Sequence, residues 1–389
     1  MTLLWGRIPS CRRFLTGVFQ LAAILSPASV ASAQSFREHV IATDLKGGYQ
    51  VVAADLNGDG KPDLIALASQ MTELVWYENP TWERHVLASG LTGMINCAVA
   101  DVDGDGIPEI VLAYGFTMQA ATSPGIVAVL KHNGDPRKPW TRTEIDRLTT
   151  SHRVRVANFD GTKVFVNAPL IGPKAVAPDY RDHVPLVCYR PGEWKRTLIA
   201  NDNEGVQHGI TIVDWDGNGR DSILTMSFLG IDLYRYGPKG AWTRTEISKG
   251  NPDPWPKSGS SDLAVGHLGK ERFLAAIEPW HGNQVAVYTE QSGNWQRNVI
   301  DNTLLDAHTI LTADLDGSGR DQIVAGMRGK PYQVLVYANE KGRWTRNILD
   351  TGGMSAASCA AADFSGDGRP DLACIGTATT NLKWYENLK

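Results

Sequence analysis

Cysteine is scarce and never closely spaced, with five in 389 residues, at positions 11, 97, 188, 359 and 374. Without a Cys-x-x-Cys pair the thiols read as small buried core residues, and a Cys359 to Cys374 bridge stays open. Positive charge is not in excess either: 38 Lys and Arg stand against 42 Asp and Glu, a net charge of −4 that gives no footing for a nucleic-acid partner. No segment approaches the ~20 consecutive apolar residues of a transmembrane helix, so no transmembrane segment is expected. Helical periodicity is missing along the whole chain. What remains is an ordinary folded composition, 42% hydrophobic and 21% charged, which excludes disorder and collagen, with a high load of 12 Trp.

The first 33 residues differ from the rest. Arg7, Arg12 and Arg13 precede the apolar stretch Phe14 to Leu25, and Ala31-Ser32-Ala33 follows as a small-residue cleavage site. Residues 1–33 therefore read as a signal peptide and residues 34–389 as the mature domain, expected to be secreted or periplasmic. Loss of the three arginines takes the net charge from −4 to −7.

That domain is a repeat. A Trp-x-Arg-x-x-Ile motif and its variants begin at Phe36, Trp82, Trp140, Trp194, Trp242, Trp295 and Trp344, at spacings of 46 to 58 residues, and the seventh repeat runs to Lys389. Each unit continues with an alternating strand such as YQVVAAD, an Asp/Gly loop, an apolar strand such as PDLIALA, and a strand ending in an aromatic such as ELVWYEN. Seven units of four strands predict an all-β fold, a seven-bladed β-propeller. The unmatched FREHVI strand at the start and NLKWYEN at the end predict that the N-terminal strand closes the ring, which leaves no free edge. The motif tryptophans are expected to pack between blades.

Five loops share an acidic pattern. Three of them carry the most oxygen ligands: Asp55, Asn57, Asp59 and Asp63; Asp101, Asp103, Asp105 and Glu109; and Asp363, Asp367 and Asp371. Oxygens at the first, third, fifth and ninth places with Gly in the turn could wrap a structural Ca²⁺; the alternative is a turn held by side-chain hydrogen bonds. The loops at Asp214 and Asp314 place Ser222 and Gln322 at the ninth position, which weakens the case for a cation there. Blades three (NFDGTK) and five (HLGKER) have lost the pattern. The loops resemble FG-GAP/VCBS repeats of seven-bladed propellers.

Six residues before each loop, the innermost strands carry Tyr49, Ile95, His152, His208, Ser261, His308 and Ala357. Equivalent places on innermost strands surround the propeller axis, so His152, His208 and His308 should share one space, as ligands of Zn²⁺ or another divalent ion or as a general base. The alternative is a set of channel histidines held by water and carbonyls. The connections on the same face hold Lys174, Tyr180, Arg181 and His183 in an insertion, Trp280 and His281 in EPWHGN, and Arg328 in MRGKPY. They are expected at the same mouth.

The segments SHRVRVANFDGTKVFVNAPLIGP, VQHGITIVDWDGNGRDSIL, AAIEPWHGNQVAVY and RDQIVAGMRG resemble the propeller domain of the aldos-2-ulose dehydratases, fungal enzymes that eliminate water from keto-sugars. The resemblance implies a small carbohydrate substrate and a carbon–oxygen lyase. His152, His208 and His308 then take metal or base roles, His281 and Tyr180 proton transfer, and Tyr49, Arg153, Arg181, His183, Trp280 and Arg328 substrate binding. Cupin domains that follow the propeller in that family have no counterpart up to Lys389. Two other readings stay open: a non-catalytic propeller that binds glycan or protein, and a polysaccharide lyase acting on uronates. The sequence is silent on oligomeric state.

Overall fold

The computed structural model describes residues 35–389; the expected signal peptide lies outside them. Seven four-stranded antiparallel sheets are arranged in chain order. Blade one runs from its inner strand Gly48–Ala54 through Asp63–Ala68 and Glu73–Glu78 to its outer strand Glu83–Ser89. Blades two to six repeat this. Blade seven takes three strands from the C-terminal end, and Phe36–Ala42 pairs with Leu382–Asn387 as its fourth, from Phe36 opposite Asn387 to Ala42 opposite Leu382. The closure expected from the unmatched terminal strands is therefore present. Two single 3-10 turns are the only helical segments among the described residues, and none is long and apolar enough to cross a membrane.

The middle strands of every blade are buried on both faces, which is why they read as unbroken apolar runs. The core is a set of clusters lying between neighbouring sheets. Trp82 packs on Phe364 and Trp384 of blade seven, Trp242 on Phe159 of blade three and Trp344 on Phe273 of blade five. Cys359 and Cys374, directly opposite on adjacent strands, are disulfide-bonded; Cys97 and Cys188 are buried free thiols.

The repeat motif also carries a polar seam. Asp146 ends the outer strand of blade two and accepts hydrogen bonds from the Tyr189 hydroxyl (2.6 Å) and Arg196 of blade three. Asp202 accepts from Tyr234 (2.6 Å) and ion-pairs Arg244 (3.4 Å), Asp301 accepts from Tyr337 (2.8 Å) and ion-pairs Arg346 (3.5 Å), and Asp350 accepts from Tyr385 (2.8 Å) and Lys383 (3.0 Å). The seam between blades four and five has Ser248 in place of the aspartate. There Glu278, fully buried, bonds Tyr288 and Arg297 instead. Glu278, the first residue of EPWHGN, is thus a seam carboxylate.

Asp350 tests this seam. Replacing it with Ala leaves the Tyr385 hydroxyl unpaired and Lys383 with Glu38 (3.0 Å) as its remaining carboxylate, and should cost about 1–3 kcal/mol in urea unfolding. Asp350→Asn should lose less, because it still accepts one bond.

Candidate functional site

Inner strands begin on one face and end at the acidic loops on the other, so the histidine register lies at the starting lip of the channel. Five inner strands are bulged there: the pairing skips a residue at Tyr49, His152, His208, His308 and Ala357. A bulge re-aims the extra side chain, so that two consecutive residues can face the same side. Both His152 and Arg153 therefore reach the axis. Gly209, next to His208, is required by close approach: a Cβ there would lie 2.8 Å from the Ser261 carbonyl oxygen and 2.8 Å from Asp262 Oδ1.

The imidazoles meet as expected. Ring centroids lie 5.0 Å apart for His152 and His208, 5.0 Å for His208 and His308, 4.9 Å for His208 and His281, and 5.1 Å for His281 and His308. The set whose ligand nitrogens all fall within 4.8 Å of one another is His208, His281 and His308. This corrects the trio drawn from the register: His281, from a mouth connection, stands where His152 was expected. His152 Nε2 is taken by the Tyr49 hydroxyl at 2.8 Å and by Arg153 Nη1 at 3.3 Å.

Hydrogen bonds to neighbouring strands fix the tautomers. His308 Nδ1 donates to the Ala357 carbonyl (2.6 Å) and His208 Nδ1 to that of Ser261 (3.2 Å), leaving both Nε2 lone pairs aimed at the axis. His308 Nε2 is buried and has no partner. His208 Nε2 is approached by Arg153 Nη2 and His281 Nε2, each at 3.3 Å. His281 Nδ1 lies 3.1 Å from Arg328 Nη2 and 3.4 Å from Asp306 Oδ1, so those two neighbours decide which nitrogen carries its proton. Burial, reinforced by Arg153 at His152 and His208 and by Arg328 at His308, holds all three well below the usual histidine range. Burial and Arg328 push His281 down to about 3. All four are neutral bases at neutral pH.

The donor set fits a divalent ion: three neutral imidazoles with free or weakly held Nε2 atoms, one of them orphaned in a buried polar niche. The nearby Arg153 and Arg328 guanidiniums oppose a second positive charge.

Other expected residues are placed unevenly. Trp280 stacks beside His281 (4.9 Å), and Tyr180 meets Trp280 edge to face (5.8 Å). Arg181 lies over the Trp255 ring (3.8 Å) and pairs with Glu204, away from the imidazoles, and His183 is exposed on the outer side of its strand beginning. The structure therefore does not bring Arg181 or His183 to the cluster. Sequence reading missed Asp306, Phe116 (5.5 Å from His152) and Trp255. Trp255 sits in Lys249–Ser261, a long connection between blades four and five, whose excess length and Trp-Pro pair were the available signal.

On the opposite face the acidic loops are tightly self-bonded turns. The first Asp accepts backbone N–H groups three to five residues on, as Asp55 does from Gly58 and Gly60, both at 2.8 Å. The ninth residue turns inward: Asp63 accepts from Leu56 N and Asn79 N, both at 2.9 Å, and Asp371 from Phe364 N (2.9 Å) and Asn387 N (2.7 Å). Burial raises Asp63 to about 6. Asn57 bonds Glu78, Asp59 caps Lys61, and Asp367 pairs with Arg369. Among the described residues, only the loop of blade two gathers carboxylates as a cation site would, with Asp101, Asp103 and Glu109 within 4.8 Å of one another. The Lys131 ammonium already bonds Asp103 and Glu109 (3.2 Å), and Asp105 is held by His132 (2.9 Å).

The fold and this channel define a class, the seven-bladed propeller with a histidine-lined mouth; residues 55–112 and 314–374 match the FG-GAP-like repeat. Residues 124–291, which carry His152, His208 and His281, match the family described as "Aldos-2-ulose dehydratase, beta-propeller domain". The chain is 27% identical over 238 residues to aldos-2-ulose dehydratase of Phanerodontia chrysosporium, a match covering 53% of this chain and 26% of that protein's length. The relation is distant and spans about a quarter of the relative. Among solved structures, Kuenenia stuttgartiensis hydrazine synthase (TM-score 0.58, 12% identity, 89% of this chain and 97% of that one) and BBS1N in complex with ARL6DN (0.56, 13%, 89% and 94%) share the fold alone.

The ninth-place carboxylate can be tested directly. Asp63→Ala leaves two buried N–H groups unpaired and should cost about 2–3 kcal/mol in denaturant unfolding. Asp63→Asn should cost less, since its amide oxygen keeps one bond.

Proposed function

We propose that this protein is an exported carbon–oxygen lyase that removes water β to the carbonyl of a keto-sugar, with metal assistance, in the channel mouth. The observation that carries the reading is the convergence of His208, His281 and His308 nitrogens within 4.8 Å beside the Arg153 guanidinium. Such an elimination needs a base for the acidified C–H, a cationic partner for the enolate oxygen and an acid for the departing hydroxyl.

His208, His281 and His308 would hold a divalent ion, Zn²⁺ being one that this donor set suits; when bound, it would polarise the substrate carbonyl. Arg153, only 4% exposed, offers a permanent positive charge to the enolate oxygen. His152 is a neutral base whose Nε2 already holds the Tyr49 hydroxyl, so the pair can take a proton from carbon and pass one to the leaving oxygen. Trp280 and Tyr180 form an aromatic wall that excludes water and faces a sugar ring. The likeness to a protein named aldos-2-ulose dehydratase supports the substrate class.

A rival reading is a non-catalytic glycan-binding propeller using the same wall. The assay decides: with a 1,5-anhydro-keto-sugar, the wild type should generate the ultraviolet absorbance of a conjugated enone. His308→Ala and His152→Ala should each lower kcat/KM by roughly 10²–10⁴-fold, and His308→Ala, which also loses the Nδ1 bond to the Ala357 carbonyl, should lower the melting temperature as well. Metal-replete protein that is inert on keto-sugars and uronates yet binds unmodified glycan would establish the rival.

For blade two we propose a weak structural Ca²⁺ site at Asp101, Asp103 and Glu109, entered by displacing Lys131. Ca²⁺ should raise the melting temperature and a chelator lower it. Lys131→Ala should strengthen the response; no calcium-dependent shift in either protein reduces the loop to turn chemistry.

A further inference from the structure

Behind the histidine layer the channel opens into a cavity of about 460 Å³, walled by Tyr49 and His308 at the lip and reaching His267 at the loop face. The bulges set its pattern. Beyond them, alternate residues of each inner strand face the axis, and in blade three these are Arg153 and Arg155. Both guanidiniums line the cavity, with Asp262 the one carboxylate in its wall.

The charges do not cancel. Among the described residues, neither Arg153 nor Arg155 has a carboxylate oxygen within the 4.0 Å of an ion pair. Asp262 accepts only from its own strand, at Leu263 N (3.0 Å). Arg155 Nη1 bonds Asn96 Oδ1 (2.9 Å) and the Val154 carbonyl (2.8 Å), and no protein acceptor meets its Nε or Nη2. Elsewhere in this molecule, Arg244 finds Asp232 at 2.8 Å and Arg297 finds Glu278 at 2.7 Å. Two guanidiniums against one carboxylate leave one positive charge uncompensated away from bulk water, an arrangement that is costly unless an anion completes it. Burial and the neighbouring Arg153 accordingly push Arg155 down to about 10. The depth is right for a small ligand, since the rest of that ring is Val52, Ala98, Thr211, Ala264, Leu311 and Ala360, side chains too short to fill the axis.

We infer that the channel holds a small oxyanion, of carboxylate, phosphate or sulfate class, on the free donors of Arg155 with Arg153 above it. The site shares Arg153 with the imidazole cluster, but it rests on Arg155 and does not depend on the keto-sugar reading. Its donors point into the channel, and His267, exposed at the loop face, marks the entrance that bypasses the mouth.

Calorimetric titration of the full protein with sodium acetate, inorganic phosphate and sulfate, each separately, tests it. At least one should bind saturably with one-to-one stoichiometry. Arg155→Met should weaken that binding at least tenfold, Arg155→Lys should weaken it less, and Asp262→Asn should tighten it by removing the opposing charge. The titration should be unchanged after dialysis against a chelator. Absence of saturable binding, binding that survives in folded Arg155→Met, or binding lost on chelation overturns the site. Should Arg155→Met fail to fold, Asp262→Asn decides, and an affinity unchanged or weaker there overturns it equally.

Discussion

Closing seven twisted sheets around one axis forces the innermost strands together, and these strands cannot pair with one another as sheet neighbours do. Their contacts across blades are therefore made by side chains on backbone. Gln50 reaches across to Cys97 with both ends of its amide, donating to the carbonyl (3.0 Å) and accepting from the N–H (2.7 Å). Asn96 accepts from Val154 N (2.8 Å), Thr309 from Cys359 N (3.1 Å), and Thr211 and Thr312 donate to Leu263 O (2.6 Å) and Val265 O (2.7 Å). His208 and His308 belong to this series, for their Nδ1 bonds to Ser261 and Ala357 are the same kind of cross-blade staple. One ring nitrogen holds the architecture and the other is left for chemistry. The site is thus an extension of the way the ring is closed.

A second level of the same economy appears in the loops. Where blades three and five have lost the Asp/Gly pattern, the loops of blades four and six replace the usual eighth-place Pro with Asp221 and Asp321. Asp221 Oδ2 accepts from Asn158 N at 2.7 Å, and Asp321 Oδ2 from His267 N at 2.7 Å, so each caps the strand end of the degenerate blade before it. Gln322 keeps the ninth-place bond to Leu315 N (2.7 Å) with a neutral amide. Departures from the repeat are thus paired across a blade boundary, and hydrogen-bond satisfaction at strand ends is kept where the acidic pattern changes.

Much of this was legible in the residues because repetition multiplies a weak signal. Seven copies of one motif gave strand count, blade order and ring closure, and three histidines in one register gave the channel lip. What was not legible has one physical origin, the β-bulge. A period-2 strand puts His152 and Arg153 on opposite faces; the bulge at His152 puts both on the axis, and register alone carries no sign of it. His281 was placed at the mouth by the sequence, but only the fold shows its imidazole arriving from a connection to join His208 and His308; Arg155 lies beyond the bulge in blade three, and Asp262 sits on an unbulged strand. The tyrosine–aspartate seams were missed for another reason: the Asp closes the outer strand of one blade while the Tyr sits in the next, so the pairing becomes visible only in three dimensions.

The electrostatic layout separates two demands that a single narrow channel places on its lining. Burial removes charge from groups that can lose it, so the imidazoles stay neutral and keep their lone pairs. Guanidiniums cannot lose theirs, so Arg153, Arg155 and Arg328 remain as fixed positive charges in the same confined space. The channel consequently offers neutral bases and permanent cations side by side, the pairing that stabilises an oxyanion next to a proton acceptor. At the rim the same residue types act differently because carboxylates are at hand: Arg196, Arg244 and Arg346 are neutralised by Asp146, Asp202 and Asp301 and serve the seams. Near the axis Asp306 pairs Arg328 (3.0 Å) and Asp262 bonds only its own strand, so Arg153 and Arg155 keep their charge, while the seams described above neutralise theirs; one repeated scaffold thus gives both a rigid wall and a cationic interior.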